Sequence, residues 1–556
     1  MATVERQSSG THEVFNQPSP LEDYNPFDAD RVLVEALRRE GAEWAEGRAR
    51  ELGAICGSKQ TIRWGFEAND KKPELRTHDR YGHRIDEVEF DSSWHDLMRI
   101  GVSHGLHASP WREPGPGAHV ARAAMFGLLM QAESGVGCPI SMTYSAIPAL
   151  RKQPELADAW ESRFLSLDYD ERAMPAERKR GALCGMAMTE KQGGSDVRAN
   201  TTTATPLNGG GPGAEYEIVG HKWFCSAPMC DAFLVLAQTD SGISCFLMPR
   251  WTPDGERNAF HIQRLKDKLG NRSNASSEVE FRGAWARMIG EEGRGVPTII
   301  EMVNHTRLDC VVGTASGYRA GVAQALHHTA HRSAFGKELI EQPLMQNVLA
   351  DLCVESEAAT ISGMRLARAY DEVAAGDQEA ADFRRIANAV LKYWTCKRAP
   401  SHAVECLECF GGNGYVEESG MPRLYREAPL ASIWEGSGNV QCLDVLRAMV
   451  KSPESVEAFF AEVEAGAGAE PRLKSYAEEI RAEVPGDIET IQARARRIVE
   501  KMAIALQASL LVRYGDEAVA DAFCASRLSG DWGQAFGTLP AGTGFARIIE
   551  RHRPSR

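Results

Sequence analysis

No stretch of the 556 residues approaches the roughly 18 uncharged apolar residues that a membrane-spanning helix requires, so no membrane partner is expected. The opening Met1-Ala-Thr-Val-Glu-Arg has neither a basic start before an apolar core nor an Arg-rich, acid-poor character, which makes the cytoplasm the expected compartment. Paired cysteine spacing is missing as well. The 13 cysteines are odd in number and mostly sit in apolar runs, as Cys184, Cys310 and Cys353 do, and they read as reduced core thiols. Cys406 and Cys409 form one C-x-x-C with no second pair or histidine set, so no metal is expected. Positive charge is in deficit, 63 Lys and Arg against 77 Asp and Glu, and a net charge of -14 repels nucleic-acid phosphates over long range. There is no G-x-G-x-x-G after a strand, no phosphate loop ending in Lys-Ser/Thr and no G-x-S-x-G elbow. Nor does any 20- to 50-residue period suggest a solenoid.

What remains is a soluble globular composition, 43% hydrophobic and 25% charged, on a chain too long for one core. The pattern divides it into an arm and helical unit over 1–183, a β unit over 184–290, a helical bundle over 291–450 and a further helical unit over 451–556. Pro18, Pro20 and Pro26 prevent a helix in the first 30 residues, which read as an arm draped over a surface. Segments such as Phe233-Leu-Val-Leu-Ala and Ser277-Glu-Val-Glu-Phe, punctuated by Gly, Asn and Asp, predict short antiparallel strands. From Val296 to Lys451 long helical periodicity is broken only at Gly411-Gly-Asn-Gly-Tyr and around Pro429.

Three blocks carry chemistry. Met188-Thr-Glu-Lys-Gln-Gly-Gly-Ser-Asp-Val197 lies where helices give way to strands; its glycines let backbone amides approach a ligand, and Thr189 and Ser195 offer hydroxyls. His221-Lys-Trp-Phe-Cys-Ser-Ala places Trp223, able to pack on a planar ring, near the hydroxyl of Ser226. In Ile433-Trp-Glu-Gly-Ser-Gly-Asn-Val-Gln441 a carboxylate sits between an indole and a flexible turn, where burial raises its pKa towards the range of a general base. Singly, these are also a turn, a core aromatic and a helix cap.

In that order, with Arg332-Ser-Ala-Phe-Gly-Lys, Gln346 and Phe410-Gly-Gly-Asn-Gly-Tyr between the second and third, the blocks resemble the acyl-CoA dehydrogenase family. The run from Met188 to Thr202, the arm and the helices after 451 are similar to its AidB-like branch, named for resistance to alkylating agents. The resemblance implies a mainly α fold with a central β-barrel-like domain, a C-terminal four-helix bundle and an extra helical region. FAD would contact Met188, Thr189, Gly194 and Ser195, with Trp223 and Ser226 beside the flavin ring. Arg332, Phe335, Gln346, Gly411 and Gly412 would reach the adenosine half of FAD in a neighbouring subunit, and Gly436, Ser437 and Asn439 complete the cofactor set. Glu435 would take the α proton of an acyl-CoA thioester, and electrons would pass to an electron-transferring flavoprotein. A homo-oligomer, by analogy a tetramer, follows from the shared cofactor site.

The chain departs from the family pattern at Lys191 in place of Pro, at Glu408 in place of Gln, and at Trp434 in place of Tyr, which adds bulk where acyl chains would lie. The alternative function is a DNA-associated flavoprotein with weak dehydrogenase activity. Arg494, Arg496 and Arg497, with Arg547, Arg551, Arg553 and Arg556, would supply its basic surface. Glu478, Glu479, Glu483, Asp487 and Glu489 lie close to the first three, so a solvated helix face is expected instead. His327, His328 and His331 read as surface or interface histidines, and Arg307 and Asp309 as a possible pair or cap.

Overall fold

The computed structural model describes residues 11–483 and 488–554. The N-terminal unit carries α1 (Arg31–Arg39), α2 (Glu46–Cys56), α3 (Lys59–Asp70), β1 (Glu74–His78), β2 (Arg84–Glu89), α4 (Ser92–Ser103), the one-turn α5 (Ser109–Arg112), α6 (Ala118–Ala132), α7 (Gly137–Leu150) and α8 (Pro154–Phe164). The β1–β2 hairpin was not expected, because both strands are polar on both faces and show no apolar alternation. The arm is more than a drape: Leu21 and Phe27 are buried, so the chain before α1 already contributes to the core.

The β unit holds β3 (Cys184–Ala187), β4 (Thr203–Pro206), β5 (Glu215–Ser226), β6 (Ala232–Thr239), β7 (Gly242–Pro249), β8 (Phe260–Leu265) and β9 (Ser276–Ile289). Its pairings run β6–β4–β5–β9–β7 and return from β7 to β6, with β3 added beside β6 and β8 beside β9. This closure is the expected barrel, and it leaves those five strands no open edge in the ring. β6 is apolar on both faces because both are covered, whereas β5 alternates Tyr216, Ile218 and Lys222 inward with Glu217 and Val219 outward.

The bundle follows: α9 (Gly295–Thr329), the short β10 (Ser333–Ala334) and β11 (Lys337–Glu338), α10 (Pro343–Ala374), α11 (Gln378–Glu408), α12 (Met421–Glu427) and α13 (Gly438–Lys451). Beyond it, α14 (Pro453–Glu464), α15 (Pro471–Glu483), α16 (Ile488–Tyr514), α17 (Glu517–Phe523) and α18 (Phe545–His552) pack back onto α10, α11 and α13. Buried ion pairs fasten this extra region: Arg527 to Asp351 and Glu355, and Arg551 and His552 to Glu357. Within the core, Arg307 and Asp309 do not pair with each other; Asp309 takes Arg122, and Arg307 takes Asp444 at 2.9 Å.

Candidate active site

The turn after β3 is held to β5 from inside. Glu190 and Lys222, both fully buried, pair at 2.8 Å, and the Glu190 carboxylate also accepts from Thr201 N at 2.7 Å, Thr202 N at 3.1 Å and Gln192 at 2.7 Å. Burial alone would push this carboxyl up, but Lys222 and the N–H donors outweigh it and hold it well below the usual range. The sequence reading assigned neither residue a role. The inward alternation of β5 was the available signal, since it places Lys222 on the same face as Ile218. Glu190 and Gly193 exchange backbone hydrogen bonds, and a Cβ on Gly194 would fall 2.3 Å from Thr189 Oγ1, so only glycine fits there. Gly194 and Ser195 then have N–H groups without a protein acceptor among the described residues.

A bulge in β5 between Lys222 and Cys225 re-aims the strand at the second block. Trp223 is half-buried and ringed by cations, with Lys266 Nζ 3.3 Å from a ring centroid of the indole and Lys191 and Arg264 at 5.7 and 5.8 Å. Ser226 lies 3.3 Å from Ser276, which also accepts from the buried Lys268 at 3.1 Å. Burial pushes the Cys138 thiol up to about 11, with the Glu435 charge acting in the same direction and Ser226 and Asn274 pulling against it, so Cys138 lies within electrostatic reach of both the barrel's Ser226 and the bundle's Glu435.

Glu435 itself has φ +57° and Gly436 φ +96°. A left-handed glutamate costs about 1–3 kcal/mol and persists only where its surroundings over-determine it. Here they do. Lys392 Nζ donates to the carbonyls of Trp434 at 2.7 Å and Gly436 at 2.5 Å. Arg307 donates to the Glu435 carbonyl at 3.1 Å, and Gln441 Nε2 to the carbonyls of Glu435 and Gly436 at 3.0 Å each. The side chain is fixed by Thr306, whose hydroxyl donates to Oε2 at 2.7 Å. Burial raises the Glu435 pKa above the ordinary carboxylate value, while Thr306, Lys392 and Arg307 pull against it. The result is a partly accessible carboxylate of raised basicity on a rigid turn, the arrangement a general base requires. Thr306→Val removes a bond to the ionised form, so the acidic limb of a kcat/KM–pH profile is expected to move to higher pH.

The remaining candidates are spread over other elements. Ser437 precedes α13 without capping it by its side chain, and Asn439 is exposed and accepts from Arg496 of α16 at 2.8 Å. Arg332 donates to the Asn16 carbonyl of the arm at 2.6 Å; Phe335, Gly411 and Gly412 are exposed, and Gln346 lies partly covered on α10. His327 and His328 are buried rather than superficial: His327 reaches the Ser19 carbonyl at 2.7 Å, and His328 stacks on Phe410. Among the described residues no cluster of His, Cys, Asp or Glu could hold a metal, and all 13 cysteines are buried and free. A cavity of about 910 Å³ opens between the arm, α3, the end of α6 and α12, with Glu133, Arg423 and Glu427 in its walls. Neither Glu435 nor the Met188–Ser195 turn lines it, so the chemistry is placed by the carboxylate and the turn rather than by cavity size. Five of the arginines proposed for DNA are engaged, Arg496 with Asn439, Arg497 with Glu483, Arg547 with Asp516, Arg551 with Glu35 and Glu357, and Arg553 with Glu550, whereas Arg494 has a buried Nε with no hydrogen-bond partner among the described residues. Asp487, Arg556, the Glu489 side chain and the first ten residues of the arm lie outside the described residues.

Residues 16–171 match the adaptive response protein AidB N-terminal domain, 185–284 the acyl-CoA dehydrogenase middle domain and 293–450 the acyl-CoA dehydrogenase C-terminal domain. AidB of Escherichia coli (strain K12), described as an acyl-CoA dehydrogenase, is 47% identical over 443 residues, covering 79% of this chain and 81% of that protein. Acyl-CoA dehydrogenase family member 11 of Caenorhabditis elegans is 31% identical over 469 residues, covering 81% of this chain and 74% of that protein. The crystal structure of Caenorhabditis elegans ACDH-11 in complex with C11-CoA superposes with a TM-score of 0.83 at 27% identity, over 94% of this chain and 93% of that one. The closed barrel between two helical units, the order of the three matched domains and the identity to AidB give one result: the chain belongs to the FAD-dependent acyl-CoA dehydrogenase family, in its AidB branch.

Proposed function

We propose that this acyl-CoA dehydrogenase uses Glu435 to remove the α proton of an acyl-CoA thioester in an α,β-dehydrogenation. The observation that carries the reading is the left-handed Glu435 turn, held at three successive carbonyls and presenting a carboxylate of raised pKa. The residues fit FAD: the Gly194 cradle has no room for a Cβ, its N–H groups lack protein acceptors among the described residues, and cationic Lys266 beside Trp223 suits an electron-accepting, phosphate-bearing cofactor. Met188, Thr189, Gly194, Ser195, Trp223 and Ser226 would hold it in one subunit, with Gly436, Ser437 and Asn439 close to the base. When bound, FAD supplies the acceptor for the hydride that leaves the β carbon. Glu435 accepts the α proton at its carboxylate, and its own amide N–H, free of any protein acceptor among the described residues, stabilises the charge that develops on the thioester oxygen. Thr306 keeps the carboxylate oriented. The C11-CoA held by ACDH-11 supports an acyl-CoA as the ligand class, and an electron-transferring flavoprotein is the proposed electron acceptor.

Anaerobic titration of the FAD-loaded protein with a panel of acyl-CoAs tests this. Loss of the oxidised-flavin absorbance with at least one thioester is the expected result, and no loss with any of them ends the proposal.

A second copy is part of the reading. Phe335 is 98% exposed, Leu344 85% and Tyr415 85%, beside Arg332, Gln346 and Gly411, where the partner's cofactor would lie. Large apolar side chains so exposed mark an interface. Phe335→Asp is expected to lower both the mass measured by light scattering, from that of a tetramer, and the retained FAD. An unchanged mass would count against this face. No described helix is long and apolar enough to cross a membrane, and the cytoplasm is the proposed compartment.

A further inference from the structure

We infer that Lys392 is a positioning residue for this reaction, one that aims the Glu435 amide N–H at the thioester oxygen by holding the carbonyls on either side of it. The inference rests on the thioester reading above and adds a residue to it.

Lys392 lies on α11 and is fully buried, with its Nζ bonded to Trp434 O at 2.7 Å and Gly436 O at 2.5 Å. In a trans peptide the C=O and the following N–H point in opposite directions across one plane. The Trp434 carbonyl shares its plane with the Glu435 N–H. Turning that carbonyl onto Lys392 therefore turns the Glu435 N–H away from α11. That N–H has no protein acceptor among the described residues, and neither does that of Gly436. A backbone donor left without a protein partner in this half-buried turn is open to a ligand that supplies the acceptor.

Among the described contacts, Lys392 alone reaches the Trp434 carbonyl. Arg307 and Gln441 hold the next two carbonyls and so complete the turn without setting this particular amide. Lys392 touches neither the carboxylate of Glu435 nor any of Met188, Thr189, Trp223 or Ser226 by hydrogen bond, so beyond the effect of its charge on the Glu435 pKa it would act through the backbone. A lysine that merely filled space could have been apolar, since its neighbours on α11 (Ala389, Val390 and Leu391) are buried and apolar.

The test compares two ligands on the FAD-loaded protein by calorimetric titration. Acetoacetyl-CoA, which carries enolate charge on its thioester oxygen, calls on the amide; S-butyl-CoA, a thioether, has no such oxygen. Lys392→Met is expected to weaken acetoacetyl-CoA by about 100-fold, the effect of losing one oriented oxyanion donor, and to leave S-butyl-CoA unchanged. Lys392→Arg, which keeps a donor, is expected to recover part of the loss. Equal weakening of both ligands would mean a structural role and overturn the inference, as would an unchanged acetoacetyl-CoA affinity. If wild-type protein binds neither ligand, the thioester reading falls and takes the inference with it. If wild type prefers acetoacetyl-CoA and Lys392→Met keeps that preference, the inference alone falls. Should Lys392→Met not fold, Lys392→Gln, whose shorter side chain cannot span both the Trp434 and Gly436 carbonyls, is read in the same way.

Discussion

Glu435→Gln is expected to slow single-turnover reduction of the bound flavin by an acyl-CoA by about 10⁴-fold, the upper end of what one positioned base supplies. The amide has the shape of the carboxylate and can still accept from Thr306, so the turn and the ligand affinity should survive. What it lacks is a basic oxygen for the α proton. Stopped-flow absorbance under anaerobic conditions measures the rate, and titration with S-butyl-CoA confirms that binding persists. A variant reduced as fast as wild type would remove Glu435 from the mechanism. The pKa direction adds a sign. Glu435 acts only when ionised and its pKa is raised by burial, so wild-type kcat/KM should fall on acidification at a higher pH than an exposed carboxylate would give.

The second large effect belongs to the buried pair behind the cofactor turn. Lys222→Met leaves Glu190 fully buried and without its cation, which is expected to cost about 3–5 kcal/mol of stability. Urea unfolding measures it, and flavin content should fall with it, because Glu190 ties the Met188–Ser195 turn to Thr201 and Thr202. Adding Glu190→Gln should recover part of the loss, since the charge left stranded by the first change is gone. The pH dependence follows from the depressed Glu190 pKa. Its contribution is present in full above the unfolded carboxylate value of about 4.3 and is lost as pH falls towards the folded one. Lys222→Met should therefore lose much of the wild type's sensitivity to acid. A single variant as stable as wild type would show that the backbone donors satisfy Glu190 unaided.

The order of helical and β units and the candidate base were legible because each rests on local signals. Helical and strand periodicities differ, Gly-Gly and Gly-Ser-Gly mark turns, and Trp434-Glu435-Gly436 stands out as a carboxylate in a tight bend. The β1–β2 hairpin was not legible, since a ribbon with polar residues on both faces, in which only Leu75 and Val88 pack against the core, shows no apolar alternation in the sequence. Arg307 and Asp309 looked like possible partners because they lie two residues apart, but neighbours at that spacing diverge around a helix, and each found its counter-charge on another element. Asn439 was read with the cofactor, whereas its side-chain oxygen takes Arg496 from a helix about 60 residues further on. Arg332 was read the same way, and the arm carbonyl of Asn16 already occupies one of its donors.

From its letters alone the chain determined the order of its helical and β units and the carboxylate in a tight bend at position 435, both products of pattern over a few to a few tens of residues, while the closed barrel was implied by the family resemblance. Folding in three dimensions decided which buried charges meet, as with Glu190 and Lys222, and which three side chains grip the backbone around Glu435. Those pairings join residues from 5 to 128 positions apart. A charge or a carbonyl in the core is satisfied by whatever donor packing brings to it, and packing follows the shapes of whole elements rather than any spacing along the chain.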